Sequence, residues 1–237
     1  MILLAIDTST AQVGVALMGA DQLVVESTWS SKVHHTVELA PAIAEILARG
    51  GTSIQQVEAV AVAVGPGSFT ALRVGLAVAK GIAVALKIPI IGVPTLDVLA
   101  AAQPPSALPL AAVLQAGRNR IAVGWYKSKP EAEDGLDAAG DEDANKWLPQ
   151  GEPQITTIEL LAKSIGRPSI VAGELDDVDR QRLARKRVNV QLAPLNRCVR
   201  RPSVLAEIAE ERLRAGNLDD PATLAPIYLH SAEAVAA

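Results

Sequence analysis

The 237-residue sequence has little of the chemistry that metal and redox sites use. It contains one cysteine, Cys198, and three histidines, His34, His35 and His230. A single cysteine forms no intramolecular disulfide, which fits a reducing compartment. His34 and His35 are adjacent, so on a helix their side chains point about 100° apart and do not place two ligands on one face. We therefore expect no bound metal and no other cofactor.

Aromatic rings, net charge and long apolar runs are also scarce. Aromatic residues make up 3% of the chain, and the formal net charge is -4. These values argue against base-stacking platforms and against a surface that coats nucleic acid. Lys87 and Pro89 interrupt the most apolar stretch, so it falls short of the roughly 20 residues that span a bilayer. The segment Met1 to Ile6 lacks the basic start of a signal peptide. We expect a cytoplasmic protein without membrane contact.

The apolar residues, 49% of the chain, are almost all aliphatic, and their spacing predicts alternating strands and helices. In the first half we predict strands at Ile2–Ile6, Val13–Leu17, Leu23–Val25, Val60–Val64 and Ile88–Val93, with helices that end at Gly50-Gly51 and at Leu86. Short apolar runs joined by a hairpin turn indicate that the first three strands are antiparallel.

Prolines at 104, 105 and 109 mark a boundary, after which apolar runs at Leu108–Leu114 and Ile121–Tyr126 begin the pattern again. An amphipathic helix follows around Leu205–Leu213. We predict an N-terminal lobe over residues 1–103, a reduced lobe over residues 104–230 and a disordered tail over residues 231–237. Seven acidic residues between Glu131 and Asp143 indicate an exposed loop or a long hairpin.

The predicted elements follow the order of three strands, a helix, a strand and a helix, repeated once. Actin-like and sugar-kinase-like proteins have this pattern. Four segments also resemble the TsaB family. They are Ile6–Thr10, Gly65–Thr70 followed by Arg73 and Gly75, Pro94–Leu96, and Pro226–Leu229. The run Gly65–Thr70, placed between a strand and a helix, is the most specific of the four.

The resemblance implies an α/β fold of two actin-like lobes, of the ASKHA and ribonuclease-H-like type, with mixed sheets flanked by helices. It also implies a noncatalytic accessory subunit that binds and activates TsaD, alongside the ATPase TsaE. That complex transfers the threonylcarbamoyl group of threonylcarbamoyl-AMP to the adenosine following the anticodon, in tRNAs that read ANN codons. In this reading tRNA is bound only through the complex.

The residue types in two of these segments are compatible with an anion-binding site. Small residues and exposed N–H groups at a helix N-terminus can hold an anion, and Asp7 stands where actin-like ATPases place a carboxylate. The candidates are Asp7, Gly65, Gly67, Ser68 and Thr70. The alternative is structural: the glycines permit a tight turn capped by Ser68 or Thr70, while Asp7 accepts from neighbouring amides.

Two enzyme functions stay open as alternatives at this point. An autonomous ATP-dependent transferase of actin-like fold needs a complete phosphate-binding site. The glycine-rich run Gly65–Thr70 lacks the Lys-Ser or Lys-Thr pair that ends a Walker loop. A peptidase needs a nucleophile and a base, and no Gly-x-Ser-x-Gly motif is present.

Ala71, Gly75 and Ala79 recur at intervals of four and form a ridge of small side chains on the second long helix. Such a ridge lets another helix approach closely, although the helix's own sheet is an alternative neighbour. Guided by the resemblance, we predict a heterodimer with TsaD through the first two long helices, and a homodimer through the same surface when the chain is alone. The predicted interface residues are Leu39, Ala40, Ala44, Ala71, Arg73, Gly75, Leu76, Ala79 and Lys80.

A basic stretch, Arg180 to Arg187, is followed by Arg197, Arg200 and Arg201. These arginines form either a solvated helix face or a surface that contacts tRNA phosphates in the assembled complex.

Overall fold

A computed structural model of the chain describes residues 1–20, 22–31, 35–117, 119–128, 146–185 and 189–229. The chain forms two compact units. The first contains Met1–Val98 and Arg200–Tyr228, and the second contains Leu99–Val199. The predicted acidic loop at residues 131–143 and the predicted disordered tail at residues 231–237 lie outside the described residues.

The first unit is built on a mixed sheet. Its strands in the described residues are β1 (Leu3–Asp7), β2 (Gln12–Met18), β3 (Leu23–Ser30), β4 (Ala59–Gly65) and β5 (Ile90–Pro94). Their order across the sheet is β3-β2-β1-β4-β5, with β1, β2 and β3 antiparallel and β1, β4 and β5 parallel. This order confirms the predicted α/β class and the mixed sheet.

Helices cover both faces of this sheet, which explains why β1 reads as a continuous apolar run. Leu4 and Ile6 face helices α1 (His35–Arg49) and α2 (Phe69–Leu86), and they belong to the same core as the apolar stripe of α1 from Leu39 to Leu47. Leu3 and Ala5 face the opposite way, toward helix α6 (Pro202–Arg214). The sheet therefore separates α1 and α2 from α6.

The position of α6 corrects the predicted domain limits. We predicted that all residues from 104 to 230 form the second lobe, whereas Arg200–Tyr228 belong to the first unit. The physical reason is the apolar face of α6, on which Leu205, Ala206 and Ala209 are fully buried against β1, β2 and β5. The boundary in the chain falls at Val98, just after α3 (Thr95–Ala101) begins.

After α6 the chain follows the outer edge of β5. Asp219 pairs with Ile90, and its carboxylate accepts from the Gly92 amide at 2.8 Å and from the Arg212 guanidinium at 3.2 Å. Further on, the Ile227 amide donates to the carbonyl of Val64 at 2.7 Å. The segment protects an open sheet edge and delivers residue 228 to the start of α2.

The second unit contains a second mixed sheet. Its described strands are β6 (Leu110–Gln115), β7 (Ile121–Ser128), β8 (Trp147–Pro149), β9 (Gln154–Thr156), β10 (Ser169–Gly173) and β11 (Val190–Leu192). Helices α4 (Ile158–Ser164) and α5 (Asp177–Ala184) pack on it through Leu161 and Leu183. The order β11-β10-β6-β7-β8, with β9 also on β7, repeats the mixed parallel and antiparallel pairing of the first sheet.

Candidate functional site

The carboxyl ends of three parallel strands, β1, β4 and β5, bring three of the four family-like segments together. This end of a parallel sheet is where α/β proteins commonly bind ligands. The Thr95 hydroxyl lies 2.8 Å from the Ser9 hydroxyl and accepts from the Gly65 amide at 3.0 Å. The segments that carry the resemblance therefore form one continuous polar cluster.

Asp7, the candidate carboxylate, is buried with its side chain 3% exposed. Its Oδ1 accepts from the Ser9 amide at 2.8 Å, as the structural alternative expects. Its Oδ2 accepts from Nε of Arg200 at 2.8 Å, and the Arg200 side chain is fully buried. The guanidinium of Arg200 thus neutralises the carboxylate of Asp7. In an open site a metal ion or another bound cation would do so.

Arg200 is fixed by further bonds on the turn that follows β1. Its Nη2 donates to the Thr10 hydroxyl and to the Gln12 carbonyl, each at 2.9 Å. The Gln12 side chain also bonds both backbone groups of Arg200, at 3.1 and 3.3 Å. A buried arginine is tolerated when its donors are satisfied, and these bonds occupy Nε and Nη2.

The glycine-rich run packs against the chain itself. A Cβ at Gly67 would lie 2.2 Å from the Ser9 carbonyl oxygen, and one at Gly65 would lie 2.6 Å from that of Ile227. The Ser68 amide donates to the Ser9 carbonyl at 2.7 Å. Both glycines are therefore needed for close backbone packing, and one of the N–H groups expected to hold an anion is already bonded. Ser68 is the N-cap residue but its side chain makes no cap bond, and Ser68 and Thr70 are exposed.

The ridge of small residues on α2 faces inward, which corrects part of the predicted interface. Ala71 and Ala79 are buried, and a Cβ at Gly75 would lie 2.3 Å from the Thr8 hydroxyl. That hydroxyl donates to the Ala71 carbonyl at 2.6 Å. Small residues here let α2 approach β1 of its own sheet. Leu39 and Leu76 belong to the same core, so none of these residues is available to a partner.

Two glycines of α2 give a matched stability test. Replacing glycine by alanine inside a helix normally stabilises it by about 1 kcal/mol. We expect Gly81→Ala to raise the free energy of unfolding by about that amount, because a Cβ there meets open space. We expect Gly75→Ala to lower it by about 1–3 kcal/mol, because the new Cβ collides with Thr8. Urea unfolding measures both, and equal effects of the same sign would refute the inward packing of the ridge.

The other predicted interface residues are exposed or half-exposed. Ala40 and Ala44 of α1 and Arg73 of α2 are exposed, and Lys80 is half-buried. An open groove of 600 Å³ runs beside α1. It is lined by Ala40, Ala44 and Ala48 on α1, by Val78 and Ile82 on α2, and by the turn around the short 3-10 helix Ile54–Gln56. We call this the α1–α2 groove. Small apolar side chains on exposed helices give it a surface that another helix can approach.

Four of the arginines that we considered for tRNA are engaged inside the chain. Arg200 is buried on Asp7, Arg201 pairs with Glu26 at 3.0 Å, and Arg182 pairs with Glu159 at 2.6 Å. Arg180 donates to the Ala193 carbonyl at 2.9 Å. Paired arginines contribute little to phosphate binding, so the geometry favours the structural interpretation of these four. Residues 186–188 lie outside the described part of the chain.

The second unit has a polar cavity of about 390 Å³ between the starts of α4 and α5. Burial, and then the nearby carboxylate of Asp176, raise the pKa of Asp179. Hydrogen bonds from its own backbone amide and from Thr157 lower the pKa of Glu159. Over the described ranges, no group of three or more His, Cys, Asp or Glu side chains is arranged to hold a metal ion. Cys198 is a free, buried cysteine.

Helix α2 is also long and apolar enough, by length and composition alone, to cross a membrane. Its buried residues, however, pack on β4 and the core of the first sheet, as a core helix of a globular unit does.

Comparisons with known proteins agree with the motifs. Residues 24–236 match the family described as TsaD, tRNA N6-adenosine threonylcarbamoyltransferase. The chain is 32% identical over 240 residues to the tRNA threonylcarbamoyladenosine biosynthesis protein TsaB of Bacillus subtilis, covering 100% of this chain and 97% of that protein. It is 40% identical over 100 residues to the Escherichia coli protein of the same name, covering 42% of this chain and 43% of that protein.

A transferase is similar as well. Over 196 residues the chain is 32% identical to a tRNA N6-adenosine threonylcarbamoyltransferase of Trichlorobacter lovleyi, covering 72% of this chain and 57% of that enzyme. Among solved structures, YeaZ from Pseudomonas aeruginosa superposes with a TM-score of 0.75 at 23% identity, covering 96% of this chain and 99% of that chain. At that identity the structural likeness supports the fold alone, and it agrees with the predicted α/β architecture.

Proposed function

This chain belongs to the TsaB family of tRNA threonylcarbamoyladenosine biosynthesis proteins, and from that membership we propose that it serves the modification as a noncatalytic subunit that binds and activates TsaD. The family role in tRNA threonylcarbamoyladenosine biosynthesis follows from full-length similarity. The absence of catalysis by this chain, and the partnership with TsaD, are the proposal.

The observation that carries the proposal is the pairing of Asp7 with Arg200. The carboxylate that an actin-like ATPase would offer to a metal and a phosphate is 2.8 Å from a fully buried arginine. Nucleotide chemistry at this site would require that arginine to leave, exposing a buried charge at a cost of several kcal/mol. The glycine-rich run beside it is packed on Ser9 and Ile227. These contacts favour a structural role for the site over the autonomous transferase.

The α1–α2 groove supports the docking half of the proposal. Exposed alanines at 40, 44 and 48 form a second apolar stripe beside the buried stripe of α1, while the exposed Glu45–Arg49 ion pair lies outside that stripe. An apolar helix face that is open to solvent is typical of an interaction surface. We place TsaD there. A second copy of this chain occupies the same surface when TsaD is absent.

Activation follows if binding favours one state of the partner. A subunit that contacts the competent arrangement of TsaD better than the other arrangements shifts the population toward it, without any group of its own in the reaction. TsaE joins the assembly as a third subunit, and tRNA is bound through the complex, in the cytoplasm. The ion pairs of Arg182 in α5 and of Arg201, the residue before α6, agree with this indirect contact.

The test is threonylcarbamoyl transfer to tRNA by cognate TsaD with TsaE and ATP, with and without this chain, together with co-elution of the chain and TsaD on a sizing column. We expect transfer to depend on the chain, co-elution with TsaD, and no ATP turnover by the chain alone. Transfer that is indifferent to the chain, or ATP turnover by the chain alone, would overturn the proposal.

A further inference from the structure

An exposed cluster of two aromatic rings and an arginine lies at the start of α2. Phe69 is 54% exposed, and its ring stacks on that of Tyr228, with 5.1 Å between the centroids and 29° between the planes. The guanidinium carbon of Arg73 lies 3.7 Å from the Phe69 centroid. We call these three residues the Arg73 cluster. Phe69 and Arg73 lie one helical turn apart, and Tyr228 arrives from the segment after α6.

The cluster holds the guanidinium in a defined orientation. Nε of Arg73 donates to the Tyr228 hydroxyl at 3.0 Å, while the face of the guanidinium rests on Phe69. Within the described residues no hydrogen bond or ion pair is formed by the two Nη groups of Arg73. These are the groups that bind carboxylates in the bidentate manner. An arginine fixed in this way loses little freedom when it binds, which favours affinity.

The charges on helix α2 are of one sign although the protein is acidic. Helix α2 contains Arg73 and Lys80, is capped at its C-terminus by Lys87, and contains no acidic residue, whereas the chain carries a formal charge of -4. Several exposed arginines are paired with carboxylates, as Arg201 is with Glu26 and Arg214 with Glu210, whereas Arg73, like Arg167, forms no ion pair within the described residues. An arginine held by rings and left without a carboxylate is complementary to an acidic group from outside the chain.

We propose that the Arg73 cluster receives an aspartate or glutamate carboxylate of the partner that docks in the α1–α2 groove. This inference rests on the proposed function and names the chemistry of one contact within it. Phe69, Arg73, Ala77 and Gly81 are exposed and lie on one side of α2, so a helix on this side meets both the cluster and the groove. The aromatic rings and the arginine have the composition of an interface hot spot.

A phosphate of tRNA is the other anion that Arg73 could bind. The protein carboxylate is favoured because the same side of α2 continues into small apolar residues. A partner helix can cover such residues, whereas the charged backbone of a nucleic acid does not. The experiment below separates the two anions by measuring the affinity for TsaD without tRNA and then the affinity of the complex for tRNA.

The test is titration calorimetry of the full chain with cognate TsaD at low and at high salt. We expect Arg73→Gln to weaken binding to TsaD about tenfold at low salt and to reduce the salt dependence of that binding. We expect Arg73→Lys to weaken binding less, because lysine keeps the positive charge but lacks the planar guanidinium that binds a carboxylate through two hydrogen bonds. The matched control is Arg214→Gln, an exposed and paired arginine on the far side of the sheet, which should bind within about twofold of the original chain. Thermal unfolding checks that each variant is folded, and Tyr228→Phe removes only the hydroxyl and should give a smaller loss.

The outcomes distinguish this inference from the proposed function. If the unaltered chain binds TsaD and Arg73→Gln binds equally well, the carboxylate contact is refuted while the docking proposal stands. If Arg73→Gln binds TsaD equally well but weakens the affinity of the complex for tRNA, the anion is a phosphate and the inference is again wrong. If the unaltered chain does not bind TsaD, the proposed function fails and this inference fails with it.

Discussion

Replacing Arg200 by methionine is expected to lower the free energy of unfolding by about 3–5 kcal/mol, because it leaves the carboxylate of Asp7 buried without its cation. Asp7 keeps its bond from the Ser9 amide, but one hydrogen bond does not offset the loss of water around a charge. Total stabilities of domains are about 5–15 kcal/mol, so a change of this size should be evident in urea unfolding.

The double variant, Asp7→Asn with Arg200→Met, separates a charge effect from a packing effect. Without either charge, most of the lost stability should return, since buried ion pairs are often replaced by neutral side chains of similar size at little cost. Arg214→Met is the matched control. Its arginine is 65% exposed and pairs with Glu210 on the same helix, so we expect a loss below about 1 kcal/mol. A loss below about 1 kcal/mol for Arg200→Met would contradict the interpretation of the pair as a buried structural cation.

Placing a glutamate in the α1–α2 groove, by Ala44→Glu, is expected to weaken binding to TsaD at least about 100-fold, or about 2.7 kcal/mol. In the free chain residue 44 is exposed, so the new carboxylate stays hydrated and the fold is retained. In the complex it would be buried without a partner, and that burial carries the penalty. Titration calorimetry measures the affinity, and thermal unfolding confirms that the variant is folded.

The matched control for that variant is Ala184→Glu, which introduces the same side chain at an exposed position of α5 in the second unit. We expect it to bind TsaD as the unaltered chain does. Equal affinities for the two variants would refute docking in the groove. Gly75→Glu, on the ridge of small residues, is unsuitable as a test of docking because the side chain would have to enter the contact with Thr8.

The elements of the first sheet could be predicted because each has a strong local signal. The run before Asp7 is apolar on both faces of its strand, and α1 carries a clear stripe from Leu39 to Leu47. In the second unit the signals are weaker. Strands β8 and β9 have three residues each, and α5 is mostly polar and buries Leu183, so no periodicity indicated these elements. Helix α4 has Thr157 as its N-cap, whose hydroxyl accepts from the Leu160 amide.

The site was harder to predict, because its decisive contacts join residues far apart in the chain. Asp7 and Arg200 are separated by 193 positions, and the composition of the basic stretch suggested a surface role for that arginine. Arg73 and Tyr228 both belong to segments that resemble the TsaB family, yet their contact across 155 positions has no local signal. The spacing of Ala71, Gly75 and Ala79 correctly indicated close approach of a neighbour, but spacing does not tell whether that neighbour is a partner or the protein's own sheet.

The measurement that tests the central claim most directly is threonylcarbamoyl transfer to tRNA by TsaD, TsaE and ATP, with two variants of this chain compared side by side. The double variant Asp7→Asn with Arg200→Met alters the closed site, and Ala44→Glu alters the groove. We expect the double variant, once shown to be folded, to support transfer near the original rate, and Ala44→Glu to support almost none. Loss of transfer with the double variant and full transfer with Ala44→Glu would show that the chain works through its own site, and would contradict the account.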